Sequence, residues 1–179
     1  MVEKRERSTV NGQRELPLPT AADALAILES VKDPEVPVLS VVELGIVRNV
    51  DVEADAVTVT VTPTYSGCPA MKVIEDEITA ALRGAGFRRV VIKTVYAPAW
   101  TTDWIPEAAK EKLRTYGIAP PGRVTAEQLV PLGPVVRSVS CPFCGSANTS
   151  LTSEFGATAC KSLHVCHGCH QPFEHFKAF

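Results

Sequence analysis

Histidine is missing from the first 140 of the chain's 179 residues, and cysteine occurs there once, as Cys68. A catalytic Cys–His pair cannot be assembled within that stretch. It also offers no second set of carboxylates and histidines for a di-iron site and no glycine-rich nucleotide loop. No uninterrupted apolar run approaches the roughly 20 residues that span a bilayer, so no membrane association is expected. Positive charge is not in excess: 18 Lys+Arg stand against 20 Asp+Glu, unlike a protein that grips phosphate backbones. The opening MVEKRERSTVNGQRE is charged but lacks an apolar h-region, which argues against a secretory signal. A cytoplasmic protein is expected, whose six cysteines are thiols or metal ligands rather than disulfides.

What is present is unevenly distributed. Residues 141–179 hold five cysteines and all four histidines. Such a break in composition marks a domain boundary, and the segment before it agrees. Residues 118–140 carry four prolines and two glycines, which interrupt regular structure repeatedly and predict a linker. A loop packed through Leu129, Val130 and Leu132 is the other reading of that segment. Residues 1–19 are polar and charged and are expected to be a disordered arm. The division is therefore an arm at 1–19, a first domain at 20–117, a linker at 118–140 and a tail domain at 141–179.

In the first domain Thr20, with Asp23 three residues on, predicts a capping-box start to a helix bearing Ala21, Ala24, Leu25, Leu28 and Val31 on one face. Asp33-Pro34 stops it. Residues 44–52 alternate, and residues 57–62, VTVTVT, alternate without exception; with a turn at Glu53-Ala54-Asp55 they predict a hairpin. Pro69 opens a second helix whose stripe is Met71, Ile74, Ile78, Leu82 and Ala85. Residues 89–96 read as a third strand. Residues 103–116 read as a third helix, with Asp103 as cap, Pro106 in its first turn, and Ile105, Ala109, Leu113 and Tyr116 on one face. The order α-β-β-α-β-α predicts an α/β fold, a two-layer sandwich of helices on one small sheet.

The tail carries Cys141-Pro142-Phe143-Cys144-Gly145 and Cys166-His167-Gly168-Cys169, two C-x-x-C knuckles with 21 residues between them. Each knuckle offers two thiolates from one tight turn, and two knuckles complete a tetrahedron around a soft or borderline cation. This is zinc-ribbon spacing. Zinc is the expected metal, with a rubredoxin-like iron site as the rival. So small a tail needs such a cross-link to fold. Cys160 is left over: a spare ligand or redox thiol near the metal, or a small apolar residue in a strand. His164, His167, His170 and His175 are expected at the surface.

Cys68 begins a predicted helix, where unpaired N–H groups and the helix dipole would lower its pKa. It could be a nucleophile, a transient ligand for iron or an iron–sulfur cluster, or a buried residue that only packs. Asp33 and Glu35 flank Pro34 as hard-metal ligands or as solvated turn residues.

Two segments resemble a known family. Asp33 to Val47, DPEVPVLSVVELGIV, and Thr62 to Pro69, TPTYSGCP, are similar to the signatures of the SufT-like iron–sulfur assembly domain. Ala97 to Ala108, APAWTTDWIPEA, and the double knuckle enclosing FGATACKSL narrow the resemblance to the PaaD family, the D components encoded with bacterial phenylacetyl-CoA epoxidases. That resemblance covers nearly the whole chain past residue 20. It implies a maturation or accessory factor for a multicomponent oxygenase of phenylacetate degradation, not a substrate-binding subunit. Its partners would be the other epoxidase subunits, namely the di-iron subunit or the iron–sulfur flavin reductase. It implies that Cys68 is the reactive cysteine, a transient ligand of iron or a cluster. Asp33 and Glu35 would form the acidic motif and Thr64 the polar position ahead of the cysteine. The ribbon, with Cys141, Cys144, Cys166 and Cys169 as ligands of a structural zinc, would recognise a dedicated client.

Three other classes compete with this one. A zinc-ribbon nucleic-acid binder lacks support, because the tail's Lys161 and Lys177 are balanced by Glu154 and Glu174. A thiol oxidoreductase is disfavoured because neither C-x-x-C pair follows a strand at the start of a helix. A non-catalytic structural subunit of the same oxygenase remains open, as does a homodimer.

Overall fold

The computed structural model describes residues 20–65, 67–122 and 139–179. The expected arm at 1–19 and residues 123–138 of the expected linker lie outside them.

The capping box forms as its residue types dictate. Thr20 Oγ1 accepts from Asp23 N at 3.2 Å while Asp23 Oδ2 accepts from Thr20 N at 2.8 Å, opening α1 (Ala21–Leu28). Ala24 and Leu28 are buried, whereas Leu25 is exposed. The chain then folds through a packed turn region that the alternation pattern does not announce. Val36, Leu39 and Val41 are buried there. A reciprocal pair braces it: Ser40 Oγ accepts from Glu43 N, and Glu43 Oε2 accepts from Ser40 N, both at 3.0 Å.

The hairpin is β1 (Val47–Glu53) and β2 (Ala56–Val61), antiparallel, with Val50 opposite Val59 and Val52 opposite Val57. Val57, Val59 and Val61 are fully buried, so the valine face of VTVTVT is the core face. A helix, α2 (Ala70–Gly84), follows; it buries Ile74, Ile78 and Leu82, at about 1.5–3 kcal/mol of hydrophobic stabilisation each. The third strand, β3 (Arg89–Thr94), returns parallel to β2, so the sheet order is β1-β2-β3. That parallel pairing is what an intervening helix permits.

The third helix starts later than its pattern predicts. Thr102–Trp104 form a separate 3-10 turn, capped by Thr101 rather than Asp103, and α3 runs Glu107–Tyr116. Pro106 explains the split: it forces Ile105 into an extended conformation, ψ 116°, which no helix can run through. Ala109 and Leu113 pack inward, while Tyr116 is exposed. Gly117, at φ 96°, ends the helix in the left-handed conformation.

The next two residues, at the start of the expected linker, are a strand instead. Ile118 and Ala119 form β4, both buried, pairing parallel with the last strand of the tail. The tail contributes β5 (Thr149–Ser153), β6 (Lys161–Cys166) and β7 (Pro172–Phe176), giving a second sheet of order β4-β7-β6-β5. Phe176 and Cys160 belong to the apolar core of the α/β part. A smaller cluster of Ala119, Cys141, Cys166 and Phe173 surrounds the knuckles.

Candidate functional site

Two sets of cysteines occupy different surroundings. In the tail, the sulfurs of Cys141, Cys144, Cys166 and Cys169 all lie within 4.8 Å of one another. Cys141 and Cys169 are 3.7 Å apart and Cys144 and Cys166 are 3.6 Å apart. The edge of a tetrahedron with metal–sulfur bonds of ~2.3 Å is ~3.8 Å, so the donor set fits a four-coordinate ion. The knuckle turns build this. Gly145 adopts φ 73° and donates to Cys141 O at 2.9 Å, and Gly168 N points at Cys166 Sγ at 3.3 Å. The backbone N–H of Cys169 first, with that of Gly168, draws the Cys166 thiol down to about 6.

The histidines are not ligands of this set. His167 and His170 are exposed. His164 is not at the surface as expected. It is buried at 5% exposure, stacked on Phe173 with ring centroids 5.5 Å apart and bonded through Nε2 to Ser162 Oγ at 3.0 Å. The reason is register: β6 sets His164 opposite Phe173 on the inner face of the ribbon sheet. His175 lies edge-on to it, partly buried.

The second set centres on Cys68. The loop from Thr62 to Pro69 leaves β2, and Tyr65 O accepts from Gly67 N and Cys68 N as it turns into α2. Across from it, Asp33 Oδ1 accepts from Glu35 N at 2.8 Å and Val36 N at 2.7 Å. Asp33 is thus a turn residue, but a buried one at 6% exposure, and its turn presents Glu35. Asp33, Glu35, Thr64 and Cys68 line one cavity of about 10 Å³, room for a single water-sized guest.

Helix position does not decide the thiol's acidity here. Burial first, and the Glu35 and Asp33 charges after it, push the Cys68 thiol up, outweighing the backbone N–H of Ala70. Burial likewise raises Asp33 and Glu35. Tyr65, next to Cys68, is pushed up to about 12 by burial and by that thiol. The pocket therefore gathers acidic groups partly withdrawn from water, Asp33 buried and Glu35 and Cys68 half-buried.

Spacing alone leaves Cys160 either near the metal knuckles or inert in a strand. It sits instead on the Cys68 cavity, buried, with its Sγ 3.7 Å from Glu35 Oε2 and 3.1 Å from Thr158 Oγ1. Burial pushes its thiol up to about 11. The available signal is negative: Cys160 falls outside both knuckles, so the ribbon has no need of it as a ligand. Lys161 carries no signal in the sequence pattern, yet it is buried at 4% exposure and pairs with Glu174 at 2.7 Å.

Fold and sites together define the class: an iron–sulfur-assembly-type α/β domain joined to a four-cysteine ribbon. Residues 21–93 match the family described as Iron-sulfur cluster assembly protein, and residues 128–177 match the PaaD zinc beta ribbon domain. The chain is 44% identical over 159 residues to a protein of Escherichia coli (strain K12) described as a putative 1,2-phenylacetyl-CoA epoxidase subunit, spanning 89% of this chain and 93% of that protein. It therefore belongs to the PaaD family, the D components of phenylacetyl-CoA epoxidases. It is also 39% identical over 98 residues to the "Fe-S protein maturation auxiliary factor" of Porphyromonas gingivalis, covering 54% of this chain and 92% of that one. A crystal structure of a domain of unknown function, DUF59, from Bacillus anthracis aligns with TM-score 0.49 at 27% identity, over 52% of this chain and 90% of the other. Among the described residues, no helix is long and apolar enough to cross a membrane.

Proposed function

We propose that the protein is a maturation factor for a phenylacetyl-CoA epoxidase, supplying or inserting iron or an iron–sulfur cluster, and is not itself the catalyst. One observation carries this reading: Cys68, Asp33, Glu35 and Thr64, spread over 36 positions of sequence, converge on one cavity of ion size. A soft sulfur beside hard carboxylates in a desolvated pocket suits transient capture of a cation such as ferrous iron. In this reading Cys68 is the ligand of the cargo, Glu35 is its neighbour, and Asp33 holds the turn that presents Glu35. Zinc is the structural ion of Cys141, Cys144, Cys166 and Cys169, and the ribbon recognises the client. The client is another epoxidase subunit, the di-iron subunit or the iron–sulfur flavin reductase.

Timing tests the proposal. Epoxidase components produced with the protein and then separated from it should retain iron and remain active with a reductant and oxygen. Components produced without it should be low in iron, and later addition of the protein alone should not rescue them. Cys68→Ser, a near-isosteric change, should fold yet fail to support iron loading. Fully metallated components that regain activity at once on mixing would instead make the protein a structural subunit.

A further inference from the structure

We propose that Cys160 is the second sulfur ligand of the Cys68 site, so that the cargo metal is held by Cys68 and Cys160 together with Glu35. This rests on the maturation reading above and adds a donor that comes from the ribbon, 92 positions beyond Cys68.

Three observations converge. First, Cys160 has no part in the ribbon's own metal site. It belongs to the core of the α/β part, whereas Cys141 and Cys166 lie in the other cluster. Second, its sulfur faces donors of the right kind. It lines the same ion-sized cavity as Cys68, Thr64, Asp33 and Glu35, and its Sγ is 3.7 Å from Glu35 Oε2. Two sulfurs and a carboxylate form a mixed set that suits ferrous iron and other borderline cations.

Third, the loop that delivers Cys160 is fixed in place by hydrogen bonds. Gly156 N donates to Lys161 O at 2.8 Å, Ala157 N donates to Glu174 Oε1 at 2.8 Å, and Lys177 N donates to Cys160 O at 3.0 Å. Lys161, the ammonium next in sequence, is paired with Glu174 and reaches only the backbone oxygen of Glu35, at 3.4 Å. The Lys161 charge still acts on the Glu35 carboxylate, while its ion pair is made with Glu174.

The two cysteine sites differ in how closely their donors are gathered. Among the described residues, only the ribbon four have three or more ligand atoms mutually within 4.8 Å. The Cys68 set is looser. As a divalent ion binds, Cys68 and Cys160 each release a proton to solvent, and the ion takes the place of both.

Anaerobic titration of the full chain, its ribbon loaded with zinc, with cobalt(II) reads this directly. The wild type should take up one cobalt beyond the ribbon ion, with a thiolate-to-cobalt charge-transfer band. Cys160→Ser and Cys68→Ser should each lose about half the band intensity and bind cobalt at least about tenfold more weakly. Cys160→Ala, checked for unchanged circular dichroism and zinc content, should behave like Cys160→Ser. An unchanged band and affinity in both Cys160 variants, alongside loss in Cys68→Ser, would overturn the second sulfur while sparing the maturation reading. A wild type that takes up no extra cobalt would also overturn it. The maturation reading stands or falls separately, on the iron content of the epoxidase.

Discussion

The indole Nε1 of Trp100 donates to the backbone oxygen of Leu44 at 3.0 Å, while its ring packs against Phe176 at 6.2 Å and Phe179 at 6.1 Å. Trp100 therefore ties the turn region before β1 to the end of the ribbon. The same segment holds the Phe179 backbone oxygen through Thr101 Oγ1 at 2.7 Å and Thr102 N at 3.3 Å. The APAWTTDW motif is thus a dock for the tail.

Replacing Trp100 separates its two roles. Trp100→Phe keeps an aromatic ring but leaves Leu44 O without its donor, and should cost about 1–3 kcal/mol. Trp100→Ala also opens a cavity and should cost about 3–5 kcal/mol. Urea unfolding of both variants checks the order; equal costs would mean that the ring packing contributes nothing beyond the hydrogen bond.

Metal removal should act beyond the knuckles. The purified protein should contain about one zinc per chain, and chelation should remove roughly 10–16 kcal/mol of binding energy from the ribbon. Because β7 pairs with β4 and carries Phe176 into the α/β core, hydrogen-exchange protection should fall at Ile118, Ala119 and around Cys160 as well. Loss confined to residues 139–153 would contradict this coupling.

Gly156→Ala should disturb the loop bearing Cys160. An added Cβ would lie 2.7 Å from Glu174 Oε1, and Glu174 cannot swing aside freely because it holds Lys161 and Ala157 N. A cost of about 1–3 kcal/mol is expected from overpacking. Thiol labelling under native conditions should show Cys160 becoming accessible.

His175 sets an acid dependence. Burial first, then His164 and Lys177, pull its pKa down from 6.5 to about 4. It stays neutral in the folded protein while the unfolded chain protonates, so stability should fall as pH drops below the unfolded value toward 4. Linkage puts the loss at up to about 3 kcal/mol. Wild type should therefore lose more stability than His175→Gln between about pH 7 and pH 5. Parallel curves would show that His175 titrates alike in both states.

Local signals carried much of this molecule. The Thr20–Asp23 cap, the valine face of β2, the Ile74/Ile78/Leu82 stripe and the knuckle spacing each depend on residues within a few positions, and each formed. The misses share a different cause. The turn region around Val36 and Leu39 buries apolar residues without a regular period. Ile118 and Ala119 are two residues long as a strand, and their partner lies 56 positions away. His164 takes its burial from strand register, and Cys160 takes its surroundings from how the ribbon docks. At the Cys68 site the motif residues were legible as a resemblance. The thiol's acidity was not, because helix position argues one way and burial beside two carboxylates argues the other.

The strand β4 is covalently part of one half of the molecule and hydrogen-bonded into the other. Neither half can melt without breaking a sheet or baring core residues of its neighbour. The described residues should then behave as a single cooperative unit. A heating scan of the zinc-loaded chain should show one heat-absorption peak whose calorimetric and van't Hoff enthalpies agree, where two domains on a free tether would give two.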